Sequence, residues 1–525
     1  MNPPTRSRVL TEPLGGSPLS LAVQTRRLPP AIQPWRPAGI DAWREHVSQV
    51  RSSRSGWLEA LRPAIEPSGS AATRLDRVAA ENGVVVTTGQ QAGLFGGPLY
   101  TLAKALTALT LADTIEQELG VPAAPVFWAA TDDADFLEAS VASVADADGL
   151  HTLRLTDAPP PGMPMSGAPL PDMHALLEQL RRSCGSAAFA EYYEYARVAF
   201  TRQRTLGDAY VQMLRALLGE LGVAVMDSSH PAYLRAARPI LFEALQRAGD
   251  INAATTERAA AIRQLGFEPQ VEDDRGLSLV FALEKGVKRR LTLDEAERVA
   301  AGKPDMPLAP NVLLRPVTER SIFPTVAYVA GPGELAYLTQ SNVVAAALDR
   351  DPVVGVPRWS CTIVEPFAEK ALRRLRVKPH ELRDLSALER RLALAAIPPD
   401  VAAAWNALEE TIRESVKSLG DAVRNTSLMP PEVIDGLRHS LEHKLKRGER
   451  RVLAAVKRRE DRVRHDLNVL SAALFPLGQR QERVLNYVPM LTRGGPDLVD
   501  DMRAAAREHA AALFRADRTE PVVAR

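Results

Sequence analysis

The residues of this chain best placed to do chemistry begin with Gly89-Gln90-Gln91-Ala92-Gly93-Leu94-Phe95-Gly96-Gly97-Pro98. This stretch follows the β-branched run Val84-Val85-Val86-Thr87-Thr88 and precedes a helical pattern. At a strand-to-helix junction, free backbone N–H groups and the positive end of the helix dipole attract anions. Gly89, Gly93 and Gly97 would let a ligand approach the backbone, and the amides of Gln90 and Gln91 would add contacts. The spacing is neither GxGxxG nor GxxxxGK[ST], so the anion could as well be a carboxylate as a phosphate, and a tight turn with no ligand is the plain alternative. Lys104, one to two turns into the helix, either reaches back to that anion or lies on the helix surface.

Thr131-Asp132-Asp133-Ala134-Asp135, with Glu138 nearby, follows a second apolar run, Ala124 to Ala130. These carboxylates suit a ribose hydroxyl, a substrate ammonium or a divalent ion, and equally suit capping of a first helical turn. Asp227-Ser228-Ser229-His230 ends a later run and reads as a cap. Tyr328-Val329-Ala330-Gly331-Pro332-Gly333-Glu334 offers two glycines, Gly331 and Gly333, for close backbone approach, with Glu334 opening the next helix. Arg315 is either a bidentate clamp for a carboxylate or phosphate or a structural ion pair.

Elements that could position these groups follow from the apolar pattern. Strand 84–88, glycine turn, helix 98–119 and strand 124–130 make a βαβ unit, whose crossover is right-handed and whose ligand site lies beyond the strand carboxyl ends, at the switch point. Runs at 222–227 and 325–330 continue the sheet, each with a helix following. Alternating segments at 277–281 and 289–293 predict an antiparallel insertion. After Pro398-Pro399, apolar residues at helical spacing from Val401 to Val423, then from Leu437 to Leu470, predict two long helices in an antiparallel coiled coil.

The fold class expected is therefore α/β, a Rossmann-like doubly wound parallel sheet with inserted subdomains and a C-terminal antiparallel α-helical coiled coil. The expected domains are an arm and helices (1–80, with Trp35, Trp43 and Trp57 available to pack), a core (81–395, with insertions at about 150–220 and 265–320), a coiled coil (396–475) and a segment returning to the core (476–525).

At 525 residues, with 46% hydrophobic and 25% charged, the chain can bury more than one core. Its 65 Lys+Arg against 64 Asp+Glu leave a net charge of +1, so no global field calls for a nucleic acid or an anionic membrane. Two cysteines, Cys184 and Cys361, make neither a disulfide framework nor a zinc site, which fits a reducing cytoplasm. The first 23 residues contain no apolar signal core, and no run of about 18 uncharged apolar residues occurs.

TTGQQAGLFGGPLYTLAKAL, PVFWAATDDADFLE, RPVTERSIFPTVAYVAGPGELAYL, VPRWSCTIVE and QRQERVLNYVPML, in that order between about 80 and 495, resemble the cysteine-adding enzymes of bacillithiol biosynthesis, the bacillithiol synthase family. The resemblance implies a core related to class I aminoacyl-tRNA synthetases, connecting-peptide insertions and a C-terminal coiled coil. It also implies a carbon–nitrogen ligase that joins L-cysteine, through its carboxylate, to the amine of glucosaminyl-malate. Such a step needs activation, for which ATP with Mg2+ is the natural candidate, and no resident metal site is expected. On this resemblance Lys104, Asp132, Asp133 and Asp135 are the catalytic candidates. Gly89, Gln90, Gln91, Gly93, Gly97, Tyr100, Arg315, Gly331, Gly333 and Glu334 are the binding ones. The chain departs from the family pattern where histidines are expected before the helix lysine and inside the acidic motif, having Ala103 and Ala134. A diverged member that binds a nucleotide, sugar or amino acid without efficient ligation, and a coiled-coil assembly subunit, are the competing readings. A homodimer through the coiled coil is also expected.

Overall fold

The computed structural model describes residues 6–51, 56–186, 188–272, 276–302, 305–426, 429–459 and 461–515. Residues 6–145, 150–365 and 479–515 form one compact unit, and 366–478 with 146–149 form another.

At the centre of the first unit is a five-stranded parallel sheet: β1 (Val84–Gln91), β2 (Ala123–Ala130), β3 (Ala224–Asp227), β4 (Thr325–Ala330) and β5 (Gly355–Pro357). The strands lie in the order β5-β4-β1-β2-β3. The register runs from Val84 opposite Ala123 to Gln91 opposite Ala130, and Tyr328 lies opposite Thr87 on the other side. β1 and β2 are short apolar runs because both sheet faces are covered. Val85, Val126 and Trp128 enter one core, and Val84, Val86 and Val329 enter another with Trp43 and Phe514. Trp57 is buried as well, whereas Trp35 remains half exposed with its ring edge against His46.

Helix α1 (Leu99–Leu119) carries the chain from β1 to β2 and is apolar nearly all round, as a helix enclosed by sheet and neighbours must be. Gly120, at φ +66°, ends it in the left-handed conformation that glycine tolerates, and its N–H bonds the Glu116 carbonyl. Helices α2 (Pro231–Gln246), α3 (Leu314–Ile322) and α4 (Pro332–Ala347) belong to the later units. Because the chain leaves β1 for β2 and β3 on one side, then builds β4 and β5 on the other, the topological switch point lies between β1 and β4. The acidic group after β2 is thus one strand away from the switch point at which the sequence reading put it.

Strands Leu277–Glu284, Val287–Thr292 and Leu308–Pro310 form the antiparallel insertion, with the first in the middle and Leu283 opposite Lys288. In the second unit, helices Pro399–Thr426 and Pro431–Arg459 pair. Trp405, early in one, faces Gly448, late in the other, where a Cβ would sit 2.5 Å from the indole, so the pair is antiparallel. This unit starts at Pro366, before the compositional shift at Pro398, because helix Pro366–Leu375 packs on Asp461–Leu474 and Arg374 pairs there with the buried Asp466. No helix among the described residues is long and apolar enough to cross a membrane.

Candidate active site at the switch point

A cavity of about 710 Å3 opens over the carboxyl ends of β1, β2 and β4 and is walled on its far side by the antiparallel insertion. Its centre is Lys104, carried one turn into α1 and only 4% exposed. The ammonium donates to the Gly89 carbonyl at 2.7 Å and to Gln90 Oε1 at 3.1 Å, and lies 2.6 Å from Glu334 Oε2. Burial pulls the Lys104 ammonium below its ordinary value, and Glu334 opposes this. Burial works to raise the Glu334 carboxyl, but Lys104 and Arg315 outweigh it and hold it below the usual carboxylate range.

Glu334 is fixed by its position at the start of α4. It accepts the Gly331 N–H at 2.6 Å and a short hydrogen bond from the Tyr328 hydroxyl. A Cβ on Gly331 would meet Glu334 Oε2 at 3.2 Å and Lys104 Cε at 3.8 Å, so a side chain there would press on the carboxylate of the pair. Arg315, from α3, donates to Tyr328 and Tyr337 hydroxyls at 2.8 and 2.9 Å and to Glu319 at 3.1 Å. Burial pushes the Glu319 carboxyl up to about 7 against the pull of Arg315. Arg315 is thus both a lining residue and the hub of a structural network.

Next to Lys104, Gln90 donates to the Tyr100 hydroxyl at 3.0 Å, and Gln91 hydrogen-bonds Glu138. Beyond β2, Asp132 Oδ1 accepts from Ser228 at 2.5 Å and its Oδ2 lies 3.1 Å from Lys288 Nζ. Asp133 accepts the N–H of Ala134, and burial, then the charge of Asp132, raise its carboxyl. The indole N–H of Trp128 on the cavity floor is buried and has no acceptor among the described residues.

Of the residues singled out from sequence, Gly89, Gln90, Gln91, Tyr100, Lys104, Asp132, Asp133, Arg315, Gly331, Gly333 and Glu334 line this one cavity. Gly93, Gly97 and Asp135 do not. The turn after β1 is buried and closed on itself: Gly96 N–H bonds Gly93, Gly97 N–H bonds Leu94, and Leu99 N–H bonds Leu485 at 2.8 Å. Asn486 donates to the carbonyls of Phe95 and Gly97, each at 2.8 Å. Three of the amides expected to cradle an anion, those of Gly96, Gly97 and Leu99, are thus spent inside the protein, the last of them on the C-terminal segment that covers the turn. Gly93 is needed against Gly97, whose Cα lies 2.9 Å from where a Cβ would be. Asp135 is exposed and caps the short helix Phe136–Ala139 through the Glu138 N–H, so the capping alternative describes it.

Sequence reasoning missed the opposite wall. Lys288, Arg290 and Phe281 come from the insertion, Arg358 follows β5, and Arg483 comes from the C-terminal segment. Arg358 is 2% exposed and forms a fork with Glu482, which also binds Ser360 Oγ and the Cys361 N–H. Six cationic side chains line the cavity (Lys104, Lys288, Arg290, Arg315, Arg358, Arg483) with four carboxylates (Asp132, Asp133, Glu138, Glu334), and Glu319 and Glu482 behind Arg315 and Arg358 bring the charges near balance, so the cavity presents a cationic wall beside a local acidic corner.

The profile for the N-terminal Rossmann-like domain of the bacillithiol biosynthesis protein BshC matches residues 36–351, and that for its C-terminal coiled-coil domain matches 361–512. The chain belongs to the BshC family of bacillithiol biosynthesis. Proteins named "Putative cysteine ligase BshC" are similar along most of their length. That of Solibacter usitatus is 29% identical over 84% of this chain and 85% of its own. That of Heliobacterium modesticaldum is 30% identical over 84% of each. Within the BshC family resemblance, the two alanines at expected histidine positions do not line the cavity. Ala103 is fully buried on α1, and Ala134 serves Asp133 through its N–H.

Proposed function

We propose that this chain is a cysteine ligase that joins the carboxylate of L-cysteine to the amine of glucosaminyl-malate, with a nucleoside triphosphate as activator. The observation that carries the reading is one cavity with a cation-rich wall beside an acidic corner, at the switch point of a BshC-family core. A bound nucleoside triphosphate supplies an activated acyl–oxygen bond. Its anionic groups fit the cationic wall and the glycine-lined ends of β1 and β4, and do not fit the N-terminus of α1, whose first N–H is taken by Leu485.

The chain's own residues then do three things. Lys104, locked between Gly89 and Glu334, fixes positive charge where the carboxylate is held. Asp132 faces the incoming amine as a carboxylate. Asp133, its affinity for protons increased by burial, takes one proton from the bound ammonium to free the nitrogen lone pair, and the second, lost as the C–N bond forms, leaves with the departing oxygen of the broken acyl–oxygen bond. With no histidine at 103 or 134, this proton transfer falls to Asp133. A homodimer through the paired helices belongs to the same proposal, supported by the exposed Leu408, Leu419, Val433 and Leu437.

Purified protein incubated with cysteine, glucosaminyl-malate, ATP and Mg2+ should yield the amide-linked thiol by mass spectrometry, and cells lacking the gene should lack it. Binding of the substrates without product would instead select the diverged, non-ligating reading.

A further inference from the structure

The acidic corner of the cavity already holds an ammonium, and it belongs to the protein. Lys288 Nζ lies 3.1 Å from Asp132 Oδ2 and 4.7 Å from the centre of the Phe281 ring, with the side chains of Lys288 and Asp132 10% and 18% exposed. A carboxylate facing an aromatic ring is the arrangement that recognises a primary ammonium. Every part of this box is held in place by something other than Lys288. Asp132 is fixed by Ser228 at 2.5 Å, and Phe281 sits in the central strand of the insertion, paired with Arg290 and Ala309.

Lys288 is the loosest part. Its backbone is anchored, the N–H bonding the Gly162 carbonyl at 2.9 Å, but its charge rides on a flexible four-carbon stem that can leave without moving the strand. Asp133, the next residue, also lines the cavity and feels the charge of Lys288.

We propose that the box formed by Asp132 and Phe281 is the subsite for the ammonium of the amine substrate, and that Lys288 is an intramolecular stand-in which the substrate displaces. The inference rests on the ligase reading for the identity of the amine, and on geometry alone for the box. Lys288 keeps a buried carboxylate paired while the cavity is empty. It also imposes a selection: a ligand without a cationic nitrogen gains nothing by displacing it, so a neutral amide or hydroxyl analogue is refused.

Calorimetry with methyl glucosaminide and its N-acetyl counterpart tests this on the full chain. If Lys288 fills the box about nine-tenths of the time, Lys288→Met should tighten binding of the amino sugar about tenfold and leave the N-acetyl sugar unchanged. Lys288→Arg, which keeps a cation there, should behave as the parent, and Asp132→Asn should lose amino-sugar binding. Weaker or unchanged binding in Lys288→Met, or no amino-sugar binding in any variant, overturns the proposal. Ligation assayed on the same preparations separates the two readings. Ligation with a flat binding series removes the box and keeps the ligase. The expected series without ligation keeps the box and removes the ligase.

Discussion

Asp133 and Asp135 lie two positions apart and share a chemistry, yet the structure gives them different work. Asp133 lines the cavity with its carboxyl raised by burial and by Asp132, whereas Asp135 is exposed and caps a helix. Asp133→Asn should therefore lower kcat for cysteine ligation by about 10²–10⁴ with little change in melting temperature. Asp135→Asn should leave kcat unchanged, since asparagine caps as well as aspartate. Steady-state kinetics and thermal melts on both variants check the contrast. Glu334→Gln is a different case, because it leaves the ammonium of Lys104 buried without its counter-charge. Loss of one partner of such a pair should cost about 3–5 kcal/mol, read as a fall in the denaturation midpoint. Restoring a histidine at 103 should not help: the site is fully buried on α1 away from the cavity, and the larger ring should destabilise the fold by about 1–3 kcal/mol.

The turn from β1 to α1 shows where element-scale reading of a sequence works and where it stops. β1, α1 and β2 were legible because an apolar β-branched run, a helical apolar spacing and a terminal Gly-Val-Pro are local signals. The antiparallel insertion was legible through its alternation, and the paired helices through their near-heptad steps. The role of the glycines was not, because it depends on Leu485 and Asn486, which no local pattern connects to residue 97. Lys288 was missed for a related reason: a lysine in an alternating strand reads as a solvent-facing residue, and its partner Asp132 lies 156 positions away. Arg358 and Glu482, 124 apart, carry no local sign of their pairing. With the turn plugged, Gly97→Ala should act on the fold. At φ +79° and ψ −169° the backbone is in territory open almost only to glycine, so a loss of about 1–3 kcal/mol is expected in chemical denaturation. Gly93→Val should likewise lower stability, by pressing on Gly97, before it alters any ligand affinity.

At the scale of the molecule, the first unit is closed by residues from both ends of the sequence. His46 and His509, from the two terminal helices that share one core of the sheet, bond the carbonyls of Val326 and Pro357 at 2.9 Å, and burial depresses each imidazole to about 4. The unfolded chain binds these protons near pH 6.5 and the folded one does not, so stability is intact above that pH. It should fall as pH drops from about 6.5 to 4, by about 3 kcal/mol for His46. Melting temperature measured across this range, with His46→Gln flattening the slope, checks it. The segment after Gly478 supplies Glu482 to Arg358, Asn486 to the glycine turn, and Leu513 and Phe514 to the sheet's core. A chain ending at Gly478 should therefore fail to give a soluble first unit, assessed by circular dichroism of whatever is recovered. The same contact bears on how the protein is made. Asn486 bonds Phe95 across 391 residues of chain. At the usual pace of about 5–20 residues per second, the ribosome delivers that clasp about 20–80 s after the turn it fastens. Until then the nascent chain carries the turn after β1 unfastened and the apolar face meant for Phe514 uncovered. Completion of the first unit thus waits on its last-made segment, and the long helical pair is synthesised in the interval.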